Sequence, residues 1–130
     1  HDIGVFYLMS RAAGFPELIA DKAELHSLLV GWHDNIGHAL LTALGSPESV
    51  CTAVLEHENE RQIAEIKTLS DVLYVANKIA NRTASWRDPE FGGSAVDTSV
   101  LDSLFDAATL KEIVDESEEE VASLKAALGA

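Results

Sequence analysis

Apolar residues recur at helical spacing along most of the chain, and glycine or proline interrupts the pattern at short intervals. A chain of this kind buries its apolar stripes by packing helix against helix. Sustained apolar–polar alternation, which a half-buried strand requires, is missing from every segment. The expected fold is all-α, a helical bundle of about six to seven helices with no sheet.

The segments follow one another closely. Val5 to Ala13 is an apolar run closed by Gly14, and Pro16 suits the first position of a short helix through Ala20. From Ala23 a helical phase runs through Leu25, Leu28 and Leu29, with Gly31 as a break. Asp34 to Leu44 predicts a further helix, with Ile36, Leu40, Leu41 and Leu44 on its apolar face and Gly45 at its end. Ser46-Pro47 predicts a restart, the hydroxyl capping and the proline opening the helix. That helix turns Val50, Cys51, Val54 and Leu55 inward and reaches His57. Glu60 to about Thr83 predicts the longest helix, with Ile63, Ile66, Leu69, Leu73, Ala76, Ile79 and Ala80 along one stripe.

From Trp86 the periodicity fails, and Pro89 with Gly92-Gly93 marks 88–99 as a loop. The loop separates a helical core over 1–87 from C-terminal helices over 100–130 of the same domain. Ser99 or Asp102 can cap the first of these. Leu110, Val114, Ser117, Val121, Leu124 and Leu128 then follow in alternate steps of four and three, a heptad seam with one polar member. The expected role is a terminal helix packed on its own domain, with pairing to another chain as the alternative. Asp115-Glu116 and Glu118-Glu119-Glu120 form its solvated face. Trp32 and Trp86 are expected to anchor packing, and His26 and His38 to sit at the surface or core edge.

Charge removes several classes of function. The net charge is −13, and residues 88–130 hold half of the 22 acids with only Lys111 and Lys125 as bases. No basic cluster exists to displace counterions from nucleic acid, and anionic membrane surfaces are poor partners. No run reaches the roughly 18 apolar residues that span a bilayer. The lone Cys51 excludes an internal disulfide and fits a reducing, cytoplasmic location. A phosphate-cradling glycine loop, a Cys-x-x-Cys zinc pair and a Ser-His-Asp triad are all missing.

His1-Asp2-Ile3-Gly4 carries the strongest chemical signal. An imidazole beside a carboxylate offers a divalent metal mixed nitrogen and oxygen ligands. Gly4 leaves room beside them. A chain that starts inside such a motif is expected to be a fragment. His33 and Gly37 lie one turn apart on one helical face, so the backbone there can approach whatever His33 contacts. His57 ends a separate helix, where the macrodipole alone would favour an imidazole.

The ordered series is His1-Asp2-Ile3-Gly4, His33 with Gly37, Gly45-Ser46-Pro47-Glu48, Val54-Leu55-Glu56-His57-Glu58, and Leu73-Tyr74-Val75-Ala76-Asn77. It resembles the HD superfamily of all-helical, metal-dependent phosphohydrolases. It is more closely similar to the HD-related output domain, HDOD, of bacterial signalling proteins, over essentially the whole chain. The resemblance implies a metal site made by His1, Asp2, His33 and His57. His33 and His57 match histidines of the cyclic-dinucleotide-cleaving HD-GYP branch, and Asn77 falls where a late aspartate ligand is expected. Active relatives would hold a divalent ion such as manganese, iron, magnesium or nickel, with Asp2 catalytic. Val5 replaces the lysine that follows the motif in catalytic members, Asn77 lacks the aspartate charge, and no Gly-Tyr-Pro follows His57.

The expectation from these departures is a non-catalytic signal-transduction module with a degenerate site. Its partners would be other signalling domains or proteins reached through helical surfaces, or a second copy in a homodimer. The alternatives are a phosphohydrolase acting on a nucleotide or cyclic dinucleotide, and a metal-binding sensor without catalysis.

Overall fold

Side-chain caps start three of the seven described helices, the third, fifth and seventh in chain order. The computed structural model describes residues 1–80 and 99–129, and among these it contains seven helices and no strand. Helix α1 (Ile3–Ala12) is followed by α2 (Pro16–Ala20), which has proline in its first turn as expected. Helix α3 (Lys22–Ala43) starts at Asp21, whose carboxylate accepts from the Glu24 N–H at 3.0 Å. It ends at Gly45, with φ of 74°. There the Gly45 N–H bonds to the Thr42 carbonyl and the Ser46 N–H to the Leu41 carbonyl, closing the last turn.

Gly31 does not break α3. The helix passes through it, because hydrogen bonds on both sides outweigh the roughly 1 kcal/mol that one helical glycine costs. The buried line of α3 is Leu29, His33 and Gly37 rather than the leucine-rich face. Leu44, expected inside, is exposed, and so is Trp32, at 57%. Trp86 lies outside the described residues, as does nearly all of the expected loop over 88–99.

Helix α4 (Glu48–Glu56) has Pro47 as its cap residue and no side-chain cap, so Ser46 does not play the expected part. The Ser46 N–H closes α3 instead, and its carbonyl accepts from the Cys51 thiol. Helix α5 (Leu69–Ala80) begins nine residues later than the apolar pattern from Glu60 implied. A reciprocal cap places its start. The Thr68 N–H donates to Asp71 Oδ2 at 2.9 Å, while the Asp71 N–H donates to Thr68 Oγ1 at 3.1 Å.

Residues 57–68 instead fold back along α5. The Arg61 N–H reaches the Tyr74 hydroxyl, and the Arg61 guanidinium donates to the Ser70 carbonyl. In one continuous helix, positions 61 and 74 would stand about 20 Å apart. Tyr74 donates to Glu60 Oε2 at 2.9 Å, and the buried Lys78 amine pairs with Glu60 Oε1. These contacts turn Tyr74, Val75, Asn77 and Lys78 inward, leaving Ala76 and Ala80 exposed.

Helix α3 packs against α1, α2 and α4, then α4 against α5, and α5 against α6 (Ser99–Leu104). One apolar cluster joins Ile63, Tyr74, Val75, Val100 and Leu101, with Leu110 packed on it. Leu110 belongs to α7 (Ala107–Leu128), capped by Asp106. Among the described residues, α7 meets that core through Leu110 in its first turn. No residue of the helix is buried, and Val121, Leu124 and Leu128 of the seam are exposed, the last at 82%. Midway along, Val114, Ser117 and Val121 line a cleft together with Ile79 and Ala80 of α5. The acids of α7 are solvated as expected.

Candidate metal centre

Two glycines let three helices converge. A Cβ added to Gly4 would lie 1.9 Å from the His33 carbonyl oxygen and 2.9 Å from the Gly37 nitrogen. One on Gly37 would meet Val54 Cγ1 at 3.1 Å. Helices α1 and α3 thus touch backbone to backbone, α4 meets α3 through the Val54 side chain, and the side chains flanking these contacts are brought together.

Asp2 stands at the N-cap of α1, where an aspartate normally accepts from first-turn N–H groups. It makes no such bond. Its Oδ2 lies 3.3 Å from His1 Nε2, and its Oδ1 is buried without a hydrogen-bond partner, 3.9 Å from His57 Nε2. A buried carboxylate oxygen left unmatched costs on the order of 1–3 kcal/mol.

His33 and His57 are fully buried. His33 Nδ1 bonds to the Leu29 carbonyl at 2.9 Å, and His57 Nδ1 to the Val54 carbonyl at 2.5 Å. A carbonyl oxygen only accepts, so each Nδ1 carries a proton and each neutral ring presents a lone pair at Nε2. These two Nε2 atoms face each other at 3.3 Å. Glu58 Oε1 joins them, 3.3 Å from His57 Nε2 and 3.8 Å from His33 Nε2. The His1 ring sits edge-on to His57, with centroids 4.9 Å apart.

Such a gathering of lone pairs calls for positive charge. A proton can supply it. Burial is the largest single influence on His33 and depresses its pKa. The Glu58 hydrogen bond and charge, the Leu29 carbonyl and the Asp2 charge together outweigh it, and the net shift is upward. A divalent cation can supply it as well. Nitrogen ligands about 2.1 Å from one ion at the tetrahedral angle stand about 3.4 Å apart, close to the separations seen here. His1, Asp2 and His57 form one group of ligand atoms within 4.8 Å of one another, and His33, His57 and Glu58 form a second. The mixed imidazole and carboxylate set suits manganese, iron or nickel better than magnesium, which favours oxygen alone.

Of the four residues expected from the motif series, the structure places His1 and Asp2 with His57 in one group and His33 with His57 in the other. Asn77 has a different place from that of a ligand. Its side-chain N–H₂ donates to Glu58 Oε1 at 2.9 Å and to the His57 carbonyl at 3.4 Å. Glu58 was absent from the expected set, although its position next to His57 was the available signal. Glu56 points elsewhere, pairing with Arg61. His26 and His38 belong to neither group. Clefts of ≈ 560, ≈ 620 and ≈ 470 Å³ are lined by residues outside the histidine cluster. Comparison with protein-family models, with curated proteins and with solved structures returned no match.

Proposed function

We propose that the chain is a regulatory signal-transduction module of the HDOD kind, which holds one divalent ion and does not hydrolyse phosphoesters. The observation that carries this reading is the shared use of His57. Two-metal phosphoester hydrolysis needs ions about 3.5–4 Å apart and ligands enough to hold both. Both ligand groups depend on His57 Nε2, and His57 Nδ1 is committed to the Val54 carbonyl. One imidazole nitrogen serves one ion, so the set suits a single centre. Val5 adds no cation beside it to stabilise a phosphoryl transition state.

As a module, the chain would couple its site to its surface directly. The ligands come from the start of α1, the middle of α3 and the end of α4, with Asn77 of α5 behind them. Binding at that junction would fix the relative placement of these helices, and a partner domain docked on them would register the change. Partners in this reading are other signalling domains met through helical surfaces.

The buried, unpartnered Asp2 Oδ1 is the one observation that favours a phosphohydrolase, since a carboxylate free of capping duty can ligate ion and orient water. An assay decides between the two. Incubation with manganese and either a cyclic dinucleotide or a simple phosphodiester is expected to give no turnover. Turnover that Asp2→Ala abolishes would sink the regulatory reading.

A further inference from the structure

We infer that Glu58 is itself a ligand of the ion and that Asn77 is the positioning residue that aims it. This rests on the metal-binding reading above. Helix α4 ends at Glu56, and His57 and Glu58 follow it into a turn. His57 keeps right-handed helical backbone angles (φ −64°, ψ −19°), and the side chains of both residues reach the same point, beside His33. Glu58 Oε1 lies 3.3 Å from His57 Nε2 and 3.8 Å from His33 Nε2. A carboxylate oxygen and two imidazole nitrogens converging at these distances present one ion with a mixed oxygen and nitrogen ligand set.

The carboxylate is held in that position from behind. Asn77 Nδ2 donates to Glu58 Oε1 and also to the His57 backbone carbonyl, bridging the backbone of one ligand and the side chain of the next. Asn77 is 3% exposed, so its amide is fixed by packing as well as by these bonds. A neutral donor at this place suits an acceptor-only partner; an aspartate there would repel Glu58.

Cobalt(II) titration of the full chain, followed by calorimetry and by the visible ligand-field spectrum, tests the assignment. The parent is expected to bind one Co²⁺ per chain. Glu58→Gln, which keeps the shape, is expected to weaken binding at least tenfold and change the spectrum. Asn77→Ala is expected to weaken it by about 10–100-fold, the range typical of residues that orient metal ligands, with a smaller spectral change. A Glu58→Gln protein that folds, binds cobalt as tightly as the parent and shows the same spectrum would overturn the inference while leaving the metal site standing, provided that His57→Ala abolishes binding. A parent that binds no cobalt would overturn both the inference and the metal-binding reading beneath it. If Glu58→Gln fails to fold, Glu58→Asp serves instead: a shorter carboxylate must change affinity and spectrum if it is a ligand, and an unchanged spectrum overturns the assignment.

Discussion

Gly4 is the residue on which the arrangement around His33 most directly depends. Its Cα hydrogen faces the α3 backbone, and a methyl group has nowhere to go, since the atom it meets is a carbonyl oxygen. Gly4→Ala is expected to push α1 away and destabilise the fold by about 1–3 kcal/mol, as overpacking generally does. Urea unfolding measures this, and an unchanged midpoint would contradict the close crossing. A second residue-scale asymmetry lies in the Lys78–Glu60 pair. Lys78 is buried and Glu60 mostly exposed. Glu60→Ala strands a buried ammonium and also removes the acceptor of the Tyr74 hydroxyl, for a cost on the order of 2–3 kcal/mol. Lys78→Met leaves only a solvated carboxylate and is expected to be nearly neutral. Equal effects of the two changes in unfolding experiments would refute the asymmetry.

At the scale of the helices, α3 gives the opposite result for a glycine. Gly31 lies in mid-helix with open space around its missing side chain and without a positive φ. Gly31→Ala is therefore expected to stabilise the protein by about 0.5–1 kcal/mol, seen as a higher urea midpoint. Helices α5 and α7 depend on acidic caps. Thr109, through its backbone N–H and hydroxyl, and the Ala108 N–H hold the Asp106 pKa below the ordinary aspartate value. The Thr68 hydroxyl and backbone, with the Lys67 N–H, do the same for Asp71. A folded pKa below the unfolded one means stability that is present above about pH 4 and lost as pH falls through the folded value. Both groups are exposed, so salt screens the effect. Stability followed by urea unfolding across acid pH is expected to fall less steeply in an Asp71→Asn, Asp106→Asn double variant. A parallel slope would show that other carboxylates govern the acid limb.

Over the whole molecule, the outward surface of α1 and α2 is the least ordinary feature. Phe6, at 75% exposure, stands out there with Tyr7, Met9, Phe15 and Ile19. So many large apolar groups on two short helices exceed the scatter of a typical monomer surface. The isolated chain is expected to self-associate at micromolar concentration and to bind a hydrophobic dye, and Phe6→Ser with Phe15→Ser to reduce both. Sedimentation of the parent as a monodisperse monomer would count against this.

Helical class was readable from apolar spacing, because a stripe that recurs every three to four residues can be buried by little else. Asp21, Asp106 and Gly45 mark helix ends by chemistry local enough to act in any such sequence. The order of the motifs named His1, Asp2, His33 and His57, whereas their division into two groups that share His57 was not legible in it. Three matters were decided only by the tertiary structure. Residues 57–68 leave the helical pattern because Glu60 and Arg61 gain partners on α5, which no window of sequence contains. Glu58 enters the cluster because its side chain reaches the same point as that of His57, beside His33, while Asn77, far along the chain, becomes its support. The seam of α7 is half-buried at Leu110 and Val114 and exposed from Val121 onward, because burial depends on what lies opposite, and periodicity states only that a face exists. Spacing along a chain determines which side chains share a face; the partner that covers the face, and the atoms that meet there, depend on contacts between segments far apart in sequence.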